Sequence, residues 1–281
     1  MHGLNGQRGA LLLAATLIAC GDDGRATDPG DTVPRTDAGP MATTDGGSPP
    51  AIDGGTPAPV DMGTPPSGSS TVAPAEAVER MVGSFALEST FGTIAMVPFL
   101  GDQMHLNRAW GLVDIVPEGD TLVMTERGCH VESEGSDASI PDAVPQNIPP
   151  RVVTLEFVSE GGIRWIRPES SVAVGWTPAS DTDTIPQAAD DPRVIDQDGD
   201  GQPGVTVNVS GLASGDVYVV QWQRGWYEGE LGSSGEIAGE NHGSGSEQKT
   251  IGASTSLLEM DVANRPNPDT SMNRVRLIPI D

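Results

Sequence analysis

Three carboxylates on alternate residues, Asp196, Asp198 and Asp200, run into glycine in the segment Asp196-Gln197-Asp198-Gly199-Asp200-Gly201. Side chains at alternate positions of such a loop can converge on one point, and glycine permits the sharp bend. A hard cation such as calcium takes about six to eight oxygens, so the chemistry on offer is divalent-cation binding. Gln202 would add its main-chain oxygen. The approach carries Asp181, Asp183, Asp190 and Asp191, with Arg193 the nearby cation. These seven aspartates within twenty residues repel one another, and a divalent ion relieves that repulsion. The competing reading is a solvated acidic turn whose Asp side chains cap their own backbone.

A second constellation is the aromatic run Val217-Tyr218-Val219-Val220-Gln221-Trp222-Gln223-Arg224-Gly225-Trp226-Tyr227. Strand alternation puts Tyr218, Val220, Trp222, Arg224 and Trp226 on one face, and Val217, Val219, Gln221, Gln223 and Tyr227 on the other. Arg224 between Trp222 and Trp226 can stack on both rings and neutralise an acidic ligand. Exposed tryptophan with glutamine equally suits a sugar ring. Against this stands a core role for Trp222 and Trp226, with Arg224 reaching solvent.

Catalytic arrangements are absent from the sequence pattern. His105, His130 and His242 follow no metal-ligand spacing, and there is neither a Gly-x-Ser-x-Gly elbow nor a phosphate loop. Cys129 and His130 are adjacent on an expected strand, so they point to opposite faces and cannot pair as nucleophile and base. Glu88, Glu169 and Glu228 are carboxylates that nothing singles out. The reading is a non-catalytic module. The alternative is a hydrolase with an unrecognised site, in which His105 approaches Cys129 or His130 in the fold.

The elements that position these residues begin after an unusual N-terminus. Arg8 precedes an apolar run from Ala10 to Ala19, too short to cross a bilayer but suited to a secretory signal over residues 1–19. Residues 20–74 are mostly Gly, Pro, Ser, Thr, Ala and Asp, without an aromatic. They cannot bury enough apolar surface to offset ordering entropy and read as a disordered tether. Residues 75–281 form the domain. Ala75–Val82 has helical composition behind Pro74. Strands are expected over 84–97, 103–116, 121–132, 151–158, 163–166, 171–176, 204–209, 217–230, 236–239, 249–262 and 272–280, with turns at 98–102, 117–120 and 232–235. A polar, proline-bearing loop is expected over 133–150. About ten strands with hardly any helix imply an all-β fold, a single antiparallel barrel or sandwich.

The formal net charge of −25, with Lys249 the single lysine, excludes nucleic acid as a partner. It equally disfavours adsorption of the folded part on anionic lipid and favours cations.

Three local motifs resemble known families. Leu17-Ile18-Ala19-Cys20 resembles the lipobox of bacterial lipoproteins. The resemblance implies cleavage before Cys20, acylation of its thiol and amino group, and anchoring in the lipid bilayer of the cell envelope. Gly21 in place of Asp implies the outer membrane. With Cys20 acylated, Cys129 has no intramolecular partner and is expected to be a small buried hydrophobe. Asp196–Gly201 resembles the first half of the calcium loops of EF-hands, dockerins, thrombospondin type 3 repeats and integrin-like propellers. It departs from them at Gly204 and Val207, where further ligands would stand, and a strand follows. Met81-Val82-Gly83-Ser84-Phe85-Ala86-Leu87 resembles the opening of lipocalin-like barrels, with Phe85 in place of their Trp. That resemblance implies a small apolar ligand inside the barrel. The combined expectation is a lipid-anchored, acidic β module that binds a small molecule or glycan or contacts other envelope proteins, stabilised by calcium.

Overall fold

A computed structural model describes residues 68–97, 101–180, 182–210, 214–232 and 236–280. The signal segment, Cys20, most of the 20–74 tether, Pro98–Leu100 and Ser233–Gly235 lie outside the described residues. The chain opens with α1 (Ala75–Met81), entered from an extended Pro74. Glu76 and Arg80 pair across one turn at 3.1 Å, and Ala77 and Met81 are fully buried one turn apart.

All further long elements are strands. β1 (Gly83–Val97), β2 (Gly101–Glu118) and β3 (Thr121–Glu134) form a meander. The expected loop over 133–150 holds a two-residue strand, β4 (Ala138–Ser139), and a one-turn helix, α2 (Ala143–Gln146). Then come β5 (Arg151–Thr154), β6 (Glu156–Val158), β7 (Arg164–Val174) and β8 (Val205–Val209). β9 (Gly215–Leu231), β10 (Ile237–Ala253), β11 (Ala263–Pro266) and β12 (Arg274–Pro279) complete the set. These twelve strands belong to one antiparallel sheet.

The sheet curls until its ladder returns on itself. β5 and β6 are one extended segment interrupted at Leu155; β5 hydrogen-bonds β3, and β6 hydrogen-bonds β7. β7 pairs with β9, β9 with β10, β10 with β12, β12 with β1, and β1–β2–β3 leads back to β5. The curled sheet thus wraps an interior, as a barrel does. Two expectations are corrected. β7 is continuous where two strands were expected over 163–166 and 171–176, because a bulge between Arg167 and Ser170 absorbs Pro168 without ending the ladder. β10 runs through Glu240–Gln248, a Gly/Ser-rich stretch with little strand propensity, because β9 pairs with it along almost its whole length.

Inward positions carry two apolar layers. One comprises Phe85, Leu87, Val113, Ile115, Leu122, Met124, Phe157, Trp165, Val275 and Leu277, with Ala77 and Met81 of α1 packed into it. The other comprises Ala95, Val97, Ala109, Val131, Val172, Val174, Val207, Val217 and Val219. Between these layers several inward positions are polar: Ser89 on β1, Glu126 on β3, Arg167 on β7 and Gln221 on β9 are buried. The interior is therefore two apolar plugs with a polar band between them.

Candidate functional site

The polar band is built around an ion triad. Glu126 on β3 lies opposite Arg151 on β5 in the ladder, and Arg167 reaches it from β7. Arg167 Nε and Nη2 donate to the two Glu126 oxygens at 3.1 and 2.7 Å. Its Nη1 donates to the carbonyls of Pro168 and Gly225 at 3.1 and 3.2 Å. Arg151 Nη2 stands 2.8 Å from the same Glu126 Oε2. Burial pushes the Glu126 carboxyl up, but the two guanidiniums outweigh it and hold it below its ordinary value. Tyr227, opposite Arg167 on β9, places its ring 5.3 Å from the Arg167 guanidinium carbon. Burial raises its phenol, with Glu126 adding to the effect and Arg151 and Arg167 opposing it.

A cavity of about 40 Å³ adjoins this triad, enough for about three waters. Its walls include Arg151, Arg167, Ser170, Gln223, Tyr227 and Asn264. Two inward glycines hold the space open: Gly225 pairs with Gly243 across β9 and β10. A β-carbon at Gly243 would come 2.8 Å from the Phe91 ring, so the ring leans over the glycine. The cavity lies beside a seam, with β10 and β11 both contributing to its wall. β10 pairs with β12 only over Ile237–Gly239, and among the described residues no ladder joins β10 to β11. Around the cavity Ser170 Oγ, Gln223 Nε2, Tyr227 Oη and Asn264 Oδ1 are buried without a hydrogen-bond partner among the described residues. A buried polar atom left so is costly unless something else fills the role.

The residues singled out from sequence fall elsewhere or at the margin. The face of β9 bearing Trp222, Arg224 and Trp226 is the outer one. Val220 there packs under Trp176 and Ile185 of the 175–195 segment, with Trp222 partly buried beside them. Arg224 lies 4.8 Å over the Trp222 ring, pairs with Glu169 at 3.2 Å and reaches the cavity mouth. Trp226 is buried and stacked on His242, with ring centroids 3.9 Å apart. One face of each tryptophan is thus covered by a neighbour within the chain. Trp165 fills the core, while Trp110 stacks near His130 at 5.2 Å on the outer wall.

Asp196, Asp198 and Asp200 do converge: one carboxylate oxygen from each lies within 4.8 Å of the others. The loop is closed by a parallel bridge between Asp196 and Gly204. Asp196 accepts backbone N–H bonds from Gly199, Asp200 and Gly201 at 2.8, 3.1 and 2.9 Å. Asp200 accepts from the Gln202 N–H at 2.8 Å. Asp198 accepts from the Thr206 N–H at 2.8 Å through one oxygen, and its other oxygen is buried without a partner. Burial, with the charges of Asp200 and Asp196 behind it, raises the Asp198 carboxyl. Arg193 draws the neighbouring acids away: it pairs with Asp191 at 2.8 Å and Asp183 at 3.7 Å.

Cys129 occupies a bulge of β3, opposite Trp110 and Gly111. It is partly exposed, which corrects the expectation of a buried residue. His130 bonds Asp142 at 2.6 Å. His105 is buried with neither ring nitrogen partnered.

No protein-family model, curated protein or solved structure matches the chain. The site must be read from its own geometry. Glu126, Arg151, Arg167 and Tyr227 escaped the motif reading, although two carried a signal. Glu126 follows Leu122 and Met124, and Arg167 follows Trp165, on the apolar phase of alternating strands. A charge on that phase points inward and must find a partner there.

Proposed function

We propose that the chain is a membrane-anchored lipoprotein whose acidic β domain is a non-catalytic ligand-binding module, taking a small molecule through the seam between β10 and β11. One observation carries the binding reading: a cavity beside the seam has buried polar atoms without hydrogen-bond partners among the described residues. A largely pre-formed concavity with a few convergent polar groups is the usual form of a small-molecule site. Both ends of the interior are filled by side chains, which supports lateral access over the open cup implied by a lipocalin-like barrel. The test is a ligand-observed NMR screen of a mixed fragment library against the full chain and a Ser246→Trp variant that places an indole at the cavity wall. Hits that saturate on the wild type and vanish in the variant support the reading. A library in which no hit depends on Ser246 overturns it.

The address rests on Leu17-Ile18-Ala19-Cys20. Several acyl chains at ~0.8 kcal/mol per buried CH2 would anchor Cys20 stably. Labelled palmitate fed to the native host should enter the wild type and not a Cys20→Ser variant. Equal labelling of the two rejects the anchor.

A second reading concerns calcium at Asp196, Asp198 and Asp200. The unpartnered Asp198 oxygen beside two further carboxylates favours it over a plain acidic turn. The ion's role would be structural, pinning the loop onto β8. Isothermal titration of the full chain with calcium should show binding; no heat, with no melting shift relative to chelator, removes it.

A further inference from the structure

Resting on the cavity reading above, we infer that the ligand is a compact organic carboxylate, its anionic head taken by Arg151, Tyr227 and Gln223 and its apolar body set against Phe91, Val172 and Pro266.

Charge counting points this way. In a chain of net charge −25, the cavity wall holds Arg151, Arg167, Arg224 and Arg265 and, among the described residues, no Asp or Glu. Two of these are neutralised on the outside, Arg224 by Glu169 at 3.2 Å and Arg265 by Asp102 at 2.6 Å. The inner two share one anion. Arg167 commits its donors to Glu126 and two carbonyls, while Arg151 meets the same Glu126 oxygen through Nη2. Among the described residues, Glu126 is the one carboxylate within ion-pair distance of either guanidinium. The Arg151 side chain is 13% exposed. The interior therefore holds one positive charge more than it balances, and an incoming monoanion would supply the missing partner.

The hydrogen-bond inventory agrees. Tyr227 Oη, Gln223 Nε2 and Ser170 Oγ can all donate, and all three are buried beside the cavity without a partner among the described residues. A carboxylate accepts several such bonds, and bonds to an ionised acceptor are the stronger kind. A neutral amide head would leave the surplus charge unmet. A phosphate dianion would overshoot it and lacks the apolar body that Phe91, Val172 and Pro266 would cover.

The experiment is isothermal titration of the full chain with propionate, a carboxylate about the size of the three waters the cavity has room for, with the neutral isostere propionamide and with inorganic phosphate. Propionate should bind saturably, at least about tenfold tighter than propionamide or phosphate. Arg151→Gln should remove that preference, and Tyr227→Phe should lower propionate affinity several-fold while circular dichroism shows the fold retained. If Arg151→Gln does not fold, the Tyr227→Phe comparison carries the test alone. Propionamide or phosphate binding as tightly as propionate overturns the carboxylate assignment and leaves the cavity reading standing. No saturable propionate binding up to ~10 mM, the weak end of measurable affinity, overturns it as well, and the cavity reading is then judged separately by the Ser246→Trp screen.

Discussion

Replacing Glu126 by glutamine should cost about 3–5 kcal/mol of folding free energy, whereas replacing Arg151 by glutamine should cost only about 1–2. The Glu126 and Arg167 residues are each 1% exposed. The Glu126 Oε2 atom lies 2.7 Å from Arg167 Nη2 and 2.8 Å from Arg151 Nη2. At an effective dielectric near 20, an ion pair at that separation attracts by roughly 6 kcal/mol, and desolvation of several kcal/mol per ion offsets much of it. Glutamine at 126 abolishes both attractions and strands two guanidiniums in the interior. Glutamine at 151 leaves the Arg167–Glu126 fork intact and electrically balanced. In a domain of this size each kcal/mol moves the melting temperature by about 2–4 °C, so Glu126→Gln should lower it by about 6–20 °C and Arg151→Gln by about 2–8 °C. Urea unfolding followed by far-ultraviolet circular dichroism and tryptophan fluorescence reads both. The double variant, with one interior cation instead of two, should be more stable than Glu126→Gln alone. Equal losses in the two single variants, or a double variant worse than either, would refute the charge-balance argument.

Three further outcomes are expected. Gly229→Ala should destabilise by about 2–3 kcal/mol in chemical denaturation, because its β-carbon would press on the Ala238 carbonyl and come 2.8 Å from Trp165 Nε1; a loss under about 0.5 kcal/mol contradicts the packing. Burial lowers the folded-state pKa of both His105 and His242 from 6.5, with Glu228 and Glu240 opposing the shift for His242. The unfolded chain then binds more protons between the two pKa values, so stability is complete above pH 6.5 and falls as pH drops through 6.5 toward the folded values. A fluorimetric melting series from about pH 8 to 5 should show that fall, and His105→Gln should flatten it; an unchanged slope removes His105 from the account. Asp198→Asn should abolish any calcium-induced rise in melting temperature while leaving the chelator-treated protein within about 1 kcal/mol of wild type; a calcium response that survives the change shows the ion is held elsewhere.

Much of the architecture was legible along the chain. Strands β1, β2 and β3 announce themselves because a half-buried strand must alternate, and Phe85, Leu87, Val113, Ile115, Leu122 and Met124 keep that period. The helix at Ala75–Met81 was equally readable from Pro74 and the residues that follow it. The aspartate triad was readable because its convergence is a property of six consecutive residues. Glu240–Gln248 was not, since its Gly and Ser content argues against a strand and only the partner β9 imposes one.

The cavity belongs to a different order of information. Glu126, Arg151, Arg167 and Tyr227 come from four strands, and no spacing among them states that they meet. Their meeting depends on ladder registers, on a bulge after Arg167 and on the way the sheet closes through β5 and β6. Alternation tells each of these side chains which way to face, because the pleat is a local rule. Who stands opposite, and whether a buried charge finds one partner or must share it, is settled by contacts between residues far apart in the chain, where local rules carry no signal.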